Sequence, residues 1–179
     1  MMRSSGHRDA GSMNTELRTP ARRFLARRLG GVVVTLLALG PAVIVAAPPA
    51  QAYTPSAATV AAYEARVIWR MNIVRASYHR GRIVPTYCPD RYAESWAAYL
   101  ARTNTFYHRS MYTVLAGCRA SVAAENLARG NVSADRVVAL WMASPGHRAN
   151  VLDGRLSRVG VAAVYARGQW TVAANFTRP

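Results

Sequence analysis

The sequence predicts an α+β fold in which helices come first and a β-hairpin comes last. Through much of the segment after residue 52, apolar residues recur every three or four positions, which is the period of a helix. In RVGVAAVYARGQWTVAANF, near the C-terminus, apolar residues alternate by two around an Arg167-Gly168 turn. Helices followed by strands indicate that the helices pack on a small antiparallel sheet.

Residues 1–52 are expected to be an N-terminal extension with a signal peptide, separate from a folded domain at 53–179. The basic stretch ARRFLARRLG precedes an apolar run of 17 residues, GVVVTLLALGPAVIVAA. Ala50-Gln51-Ala52 then fits the small-residue cleavage rule, with the cut before Tyr53. The alternative is an uncleaved membrane anchor, but the run is shorter than the ~20 residues of a typical span.

We therefore expect a protein that is secreted and is not an integral membrane protein once cleaved. The pair Arg22-Arg23 is typical of twin-arginine export. The rest of that pattern is imperfect, so the general secretory route stays open. Met13 would give a more usual length of basic region than Met1, and either can be the true start.

The domain at 53–179 is strongly basic. Its 127 residues include 16 arginines against six acidic residues, a net charge of +10, and the sequence contains no lysine. A basic surface attracts anionic lipid, cell-wall polymer or nucleic acid. The arginines are spread along the chain rather than clustered in it, and this disfavours a nucleic-acid binder.

Two helices are predicted in the first part of the domain. The first covers residues 56–80, between the start signal Pro55-Ser56 and the stop signal Gly81. The second covers residues 89–104. Their apolar faces consist of Val60, Tyr63, Val67, Met71, Val74 and Tyr78 in the first helix, and Ala93, Trp96, Ala97 and Leu100 in the second.

Two shorter helices and the hairpin complete the domain. Ser133 can cap a third helix, and Ser144-Pro145 starts a fourth with proline at its favoured first position. Inward-facing residues of the third helix and the two strands are Val137, Val138 and Trp141, then Val159, Val161, Ala163 and Tyr165, then Trp170, Val172, Ala174 and Phe176. The four tryptophans, Trp69, Trp96, Trp141 and Trp170, all lie on apolar faces, and we interpret them as core residues.

Both cysteines, Cys88 and Cys118, fall within the domain. In a small exported domain such a pair is expected to form a disulfide. Closing a loop of this length would stabilise the fold by ~3–4 kcal/mol in the chain-entropy model. Two buried free thiols are the alternative.

Three residues could carry chemistry: His108 in NTFYHRS, Glu125 in AENLARG and His147 in SPGHRAN. Two imidazoles and a carboxylate match a zinc site with an open position. However, 17 and 22 residues separate them, so no local geometry joins them. The alternatives are an exposed ring at a helix end for His108, a solvent-facing first-turn residue for His147, and an arginine partner for Glu125. The signatures HExxH and GxSxG and a glycine-rich phosphate loop are missing.

The segments NTFYHRS, AENLARG, VVALWMASPGHRANVL, RVGVAAVY and QWTVAANF occur in the order found in one known family. Over residues 56–177 the chain resembles the CAP superfamily of cysteine-rich secretory, antigen-five and pathogenesis-related-one proteins, and the short bacterial secreted branch most closely. The resemblance implies an α-β-α sandwich, with a small antiparallel sheet flanked by helices. It also implies a central cavity lined by two histidines and two acids, among which His108, Glu125 and His147 match by motif.

The sequence departs from this pattern at Ser144. Plant and animal members place the second acid three residues after the tryptophan, and Ser144 holds that position here. The remaining triad can still hold zinc with one or two waters, but more weakly, and half of any paired acid–base mechanism is lost. Ser144 can also be pictured as a nucleophile with His147 and Glu125, although a serine directly before proline is more often a cap. Ala124, where many members have glycine, is expected to be harmless.

The resemblance, the signal peptide and the charge together predict a non-enzymatic extracellular binding module, in the medium or at the cell wall. Its cavity would take a divalent metal, with zinc the best match, or a small apolar ligand. Cell-envelope components and lipids are expected partners, and nucleic acid is not. The alternative is a metal-dependent hydrolase of peptide or cell-wall substrate, in which Glu125 is ligand or base. Because metal binding needs neutral imidazoles, metal affinity should fall below about pH 6.

Overall fold

The computed structural model describes residues 53–179, so the predicted extension and signal peptide at 1–52 lie outside the described residues. The elements, in chain order, are α1 (Ala57–Ser77), β1 (Val84–Pro85), α2 (Tyr87–Thr103), α3 (Met111–Cys118), β2 (Val122–Gly130), α4 (Ala134–Ala143), α5 (Pro145–Leu152), β3 (Arg158–Ala166) and β4 (Gln169–Arg178). None of these helices is long and apolar enough to cross a membrane.

The four strands form one sheet in the order β1-β3-β4-β2. The pairs β3–β4 and β2–β4 are antiparallel, as expected. The short strand β1 adds a parallel pair to this sheet, because it pairs with β3 through Val84 and Pro85. This short strand was not predicted, because two residues are too few to show the alternation of a strand.

The sheet lies between two layers of helices. Side chains of alternate residues in β3 and β4 point to opposite faces, because the side-chain period of a strand is two. On one face Val161, Val172 and Phe176 pack with residues of α1, α4 and α5, and on the other face Ala162 and Ala173 pack with residues of α2. The fold is therefore α+β, and its layers form the predicted α-β-α sandwich.

Three of the four helix start signals in the sequence are confirmed, whereas α2 starts at Tyr87, two residues before the predicted Pro89. The side chain of Ser56 accepts the amide of Thr59, and that of Ser133 accepts the amide of Arg136, as N-caps do. Proline occupies the first position of α5. The end of α1 comes earlier than predicted, at Ser77, because His79 adopts a left-handed conformation with φ of 53° before Gly81 is reached.

The predicted hairpin is also confirmed. Arg167 and Gly168 form a two-residue loop between the paired residues Ala166 and Gln169. Both loop residues have positive φ, 52° and 75°. This is the conformation that a type I′ turn requires, and its twist matches that of the flanking strands.

Helix α3 and strand β2 were not predicted. Helix α3 has only eight residues, too few to reveal a period. Strand β2 reads VAAENLARG, a sequence of helix-favouring residues without alternation, and its burial comes from tertiary packing. The disulfide is confirmed: it joins Cys88 in the first turn of α2 to Cys118 at the end of α3, with 5.6 Å between the Cα atoms.

The four tryptophans differ in how deeply they are buried. Trp141 and Trp170 are buried, as predicted. Trp96 is only half-buried. The core assignment of Trp69 is wrong: this residue is 48% exposed, and the guanidinium of Arg66 lies 4.1 Å from its ring centre. The apolar stripe of α1 is narrower than the sequence pattern implies.

Arg75 is buried at the C-terminal end of α1, with 1% of its surface exposed. Its guanidinium donates to four main-chain carbonyls, those of Gly81 (2.6 Å), Val151 (2.8 Å), Asp153 (3.0 Å) and Leu156 (3.0 Å). One side chain thereby joins α1 to the end of α5 and to the segment that leads into β3.

Two carboxylates bond the outer side of β3 beyond the end of β1. The amide of Val161 donates to Oδ1 of Asp90 (3.2 Å), and the amide of Ala163 donates to Oε1 of Glu64 (2.8 Å). Burial raises the pKa of both carboxyl groups, and repulsion by Glu94 adds to this effect. Beyond the end of β1, these two carboxylates thus accept the β3 amides that the carbonyls of a neighbouring strand would otherwise accept.

Candidate functional site

The three residues singled out in the sequence lie together in the fold. Nδ1 of His108 is 2.9 Å from Oε1 of Glu125. The ring centres of His108 and His147 are 6.2 Å apart, with the two rings tilted by 51°. Three residues that are 17 and 22 positions apart in the sequence are therefore neighbours in the fold.

Each member comes from a different element. Glu125 lies in β2 with 2% of its side chain exposed, His108 lies in the segment between α2 and α3, and His147 is in the first turn of α5. The amide of Arg109 donates to the same Oε1 atom of Glu125 (3.2 Å). One carboxylate oxygen thus fixes both the backbone and the imidazole of the histidine segment.

Two asparagines that the sequence analysis missed attach α5 to β2. The side-chain amide of Asn126 donates to the carbonyl of His147 (3.0 Å). That of Asn150 donates to the carbonyl of Glu125 (3.2 Å) and to Oδ1 of Asn126 (2.9 Å). The signal was present, since Asn126 follows Glu125 directly and Asn150 is three residues after His147, but spacing alone does not pair them.

Trp141 makes a similar attachment one helix earlier. Its indole N–H donates to the carbonyl of Leu127 (2.9 Å). Since β2 is the last strand of the sheet, this bond and the one from Asn150 occupy carbonyls on its outer side. Helices α4 and α5 are therefore bonded directly to the strand that carries Glu125.

The electrostatics of the site depend on burial. Burial raises the pKa of Glu125, against the opposing bonds from His108 and Arg109. Burial also lowers the pKa of His147, and the neighbouring His108 lowers it further. The structure therefore favours a neutral imidazole at His147, which is the form that binds metals.

Some buried polar atoms at the site have no hydrogen-bond partner within the described residues. These are Oε2 of Glu125, Nε of Arg109 and both amide atoms of Asn175. Asn175 lies opposite Glu125 in the β2–β4 pairing and is fully buried. Asn175 was not predicted as a site residue, because a polar residue among apolar strand residues carries no sign of its role. Such atoms are places where a ligand or an ordered water completes the bonding.

Two clefts flank the triad. One, of about 350 Å³, has both polar and apolar walls; its lining is His108, Arg109, Met111, Ala123, Ala124, Glu125 and Asn150. The other, of about 300 Å³, is mainly apolar; its lining is Phe106, Leu127, Ala128, Arg129, Leu140, Trp141, Ser144 and His147. Each histidine therefore lines one of the two clefts.

Ser144 lies at the junction of α4 and α5 and lines the apolar cleft. It holds the N-cap position of α5, but its side chain forms no capping bond. No hydrogen bond links it to His147 among the described residues. Ser144, at the position expected for a second acid, thus lines the cleft without a fixed hydrogen-bond partner.

The donor set fits a weak metal site more closely than a full one. Within residues 53–179, no group of three or more His, Cys, Asp or Glu side chains is arranged to hold an ion. Nδ1 of His108 is engaged by Glu125, so Nε2 is the free nitrogen of that ring. A carboxylate behind an imidazole is the usual supporting arrangement for a metal-binding histidine. Two rings that share a zinc ion lie about 5–6 Å apart between centres, given Zn–N bonds of 2.0–2.1 Å, and here they are 6.2 Å apart.

Comparison with known families identifies the family of this chain. The model of the "Cysteine-rich secretory protein family", CAP, matches residues 53–176, nearly all of the described chain. The chain belongs to the CAP family. This membership accounts for the three-layer fold.

Three of the proteins similar to this chain are bacterial. The protein YkwD of Bacillus subtilis is 38% identical over 55 residues, which is 31% of this chain and 21% of YkwD. The matched part thus spans about a fifth of that relative. An extracellular SCP-domain protein of Bacillus anthracis has a TM-score of 0.59 at 21% identity, over 72% of this chain and 45% of its own. An outer surface protein of Borrelia burgdorferi has a TM-score of 0.58 at 17% identity, over 63% of this chain and 89% of its own. At these identities the structural likeness supports the shared fold alone.

Proposed function

We propose that this CAP protein is a secreted, non-enzymatic binding module that acts outside the cell, in the medium or at the cell wall. Its cleft takes a divalent metal ion or a small apolar ligand such as a lipid. The export signals in residues 1–52 and the net charge of the domain support the extracellular role. The relatives from Bacillus anthracis and Borrelia burgdorferi, named as an extracellular protein and an outer surface protein, agree with it.

The observation that carries the proposal is the bond between Glu125 and His108. It uses the one carboxylate of the site to orient an imidazole, with Nε2 of that imidazole left free. His147 supplies a second imidazole beside an apolar cleft of about 300 Å³. That volume is at the lower end of the range for small-molecule sites, ~300–1,000 Å³.

A divalent ion would be held by Nε2 of His108 and by a ring nitrogen of His147, with water in its other positions. When bound, it would supply Lewis acidity between the two clefts. Glu125 supports His108 from behind, and Asn126 and Asn150 hold α5 and so His147 in place. Two imidazole ligands predict an affinity well below that of a structural zinc site.

The test is a calorimetric zinc titration of the metal-stripped protein beside His147→Asn. The control is His79→Asn, which removes a histidine outside the site and keeps a residue that tolerates positive φ. We expect one-to-one binding that His147→Asn abolishes and His79→Asn leaves unchanged. Absence of binding in all three proteins would exclude the metal, and the apolar cleft should then be titrated with fatty acids.

A metal-dependent hydrolase of peptide or cell-wall substrate is the second candidate. One observation favours it: Oε2 of Glu125 is buried and unbonded, and burial raises the pKa of this carboxyl, as in many general bases. The zinc-loaded protein should be incubated with casein and with purified peptidoglycan. Cleavage that Glu125→Gln removes would support a hydrolase, whereas no cleavage above buffer leaves the binding module.

A further inference from the structure

One side of α2 carries a continuous set of arginine and aromatic side chains. It borders the face that packs on the sheet through Ala93, Ala97 and Leu100, and its rings Trp96 and Tyr99 are partly buried against that core. We call this set the α2 arginine–aromatic surface. Its members are Arg91, Tyr92, Trp96, Tyr99 and Arg102 from α2, with Tyr107 and Arg109 from the segment that follows.

These side chains touch one another in sequence along the helix. The guanidinium carbons of Arg91 and Arg109 lie 5.5 Å and 4.8 Å from the Tyr92 ring centre, and Arg109 is also 5.3 Å from that of Trp96. The ring of Trp96 stacks on that of Tyr99, with centres 5.0 Å apart and planes within 6°. These distances are in the range of cation–π and stacked aromatic contacts, which hold the side chains in a fixed order.

The far end of the surface combines charge with hydroxyl groups. Arg102 lies 5.7 Å from the ring centre of Tyr99. The hydroxyl of Tyr107 donates to that of Tyr99 (3.1 Å), and the Tyr107 ring packs edge-on against both Trp96 and Tyr99. Cationic groups and hydroxyl groups therefore both occur on the α2 arginine–aromatic surface.

The charge of Arg91 and Arg102 is not neutralised by an ion pair among the described residues. Arg109 differs, because its guanidinium interacts with the carboxylate of Glu125. The acids of α2, Asp90 and Glu94, interact with Glu64 of α1. A guanidinium stacked on a ring keeps its N–H edge free, and that planar fork matches the oxygens of a phosphate group.

We propose that the α2 arginine–aromatic surface binds a linear phosphodiester polymer of the cell envelope, such as poly(glycerol phosphate). Its phosphates would contact the guanidinium edges of Arg91 and Arg102, and the polyol units between them would bond the hydroxyls of Tyr99 and Tyr107. This surface is separate from the histidine cleft, so the proposal does not depend on metal binding there.

The same contacts favour this polymer over nucleic acid. Sequence-tolerant binding of single strands uses free aromatic faces on which bases stack. Here Trp96 is stacked on Tyr99 and contacts Arg109, while Tyr92 contacts two guanidinium groups. The rings of this surface are therefore occupied by their neighbours, whereas the exposed ring of Tyr87 beside Arg91 is the one that single-stranded DNA would use in the comparison below.

The test compares two variants that remove the same charge. Arg91→Gln/Arg102→Gln changes the surface at its two exposed arginines, and Arg109 is left intact because its guanidinium donates to the carbonyl of Tyr92 and so has a structural role. The control Arg80→Gln/Arg136→Gln removes two exposed arginines that follow α1 and lie in α4, in the opposite helical layer. Binding of the purified protein to poly(glycerol phosphate) is measured by calorimetry at several salt concentrations, with single-stranded DNA and anionic phospholipid vesicles as parallel probes.

We expect the surface variant to weaken polymer binding about tenfold or more and to reduce the slope of log K against log salt by about 1.4. The control should stay within about twofold of the wild type. Equal losses in both variants would mean that only total charge matters and would overturn the proposal. So would tighter binding of DNA or vesicles with the same dependence on Arg91 and Arg102, or no polymer binding at low salt.

Discussion

Replacing Arg75 tests how much of the domain depends on one buried side chain. The substitution Arg75→Met keeps the length and the apolar stem of the side chain but removes every donor. It leaves four carbonyls without their partner, those of Gly81, Val151, Asp153 and Leu156. Arg75→Lys keeps the charge, but a single ammonium cannot reproduce the fork that reaches all four.

The expected loss follows from how deeply each bond is buried. The bonds to Val151 and Leu156 are buried, and each abandoned carbonyl there costs about 1–3 kcal/mol. The bonds to Gly81 and Asp153 are only partly buried, so water can replace them at little cost. Burial lowers the pKa of Arg75, which means that removing its charge returns some free energy. We expect Arg75→Met to lose about 3–5 kcal/mol, out of a total stability of ~5–15 kcal/mol.

Urea unfolding followed by far-UV circular dichroism measures this loss, with Arg136→Met as the control at an exposed arginine of α4. The control should stay within about 0.5 kcal/mol of the wild type. Arg75→Lys should lose stability as well, although less than Arg75→Met. A loss below about 1 kcal/mol for Arg75→Met, with an unchanged m-value, would refute the role given to the guanidinium.

Three further predictions concern the disulfide, the carboxylates beside β3 and the cleft. Removing the disulfide with Cys88→Ser/Cys118→Ser should lower stability by about 3–4 kcal/mol in urea unfolding; a loss under about 1 kcal/mol would contradict this. The raised pKa values of Glu64 and Asp90 mean that stability present at acid pH is lost as pH rises through their folded pKa values. Glu64→Gln/Asp90→Asn, which keeps both acceptor oxygens, should therefore gain stability relative to the wild type between acid and neutral pH, and a constant difference would refute this. In NMR titration, His147 should have a pKa below the ordinary ~6.5; a midpoint at or above that value would rule out the burial effect.

The sequence predicted those parts of the fold in which local pattern and tertiary packing agree. The period of α1 and α2, the serine caps of α1 and α4, and the Arg167-Gly168 turn all carried clear signals. Strand β2 did not, because its residues favour a helix and become a strand only through pairing with β4. The outermost strand was therefore missed, although it holds the central carboxylate.

The sequence predicted which residues form the site but not how they are arranged. Motif order grouped His108, Glu125 and His147, and the structure brings them together. That Glu125 bonds His108 directly depends on the register of β2 and the path of the segment after α2, which no short motif encodes. Likewise an arginine within a helical pattern is ordinarily taken as solvent-facing, so nothing indicated that Arg75 is buried.

The clustering of Arg91, Arg102 and Arg109 could not be read from the sequence either. They are spread over 19 positions, as the other arginines are spread along the domain. Their proximity arises because α2 places Arg91 and Arg102 on one side and the following segment returns Arg109 to the same helix. The spacing of the arginines in the sequence therefore does not show which of them share a surface in the fold.

The bonds on the outer sides of the sheet have a consequence for self-association. An open sheet edge is a template on which another chain can add a strand, and this is a common route to fibrils. Here Asp90 and Glu64 occupy amides on one outer side, while Trp141 and Asn150 occupy carbonyls on the other. A second copy would have to displace these side chains before it could extend the sheet. Aggregation should thus follow detachment of α1, α2, α4 or α5, and conditions that protect those contacts should also keep the protein monodisperse at high concentration.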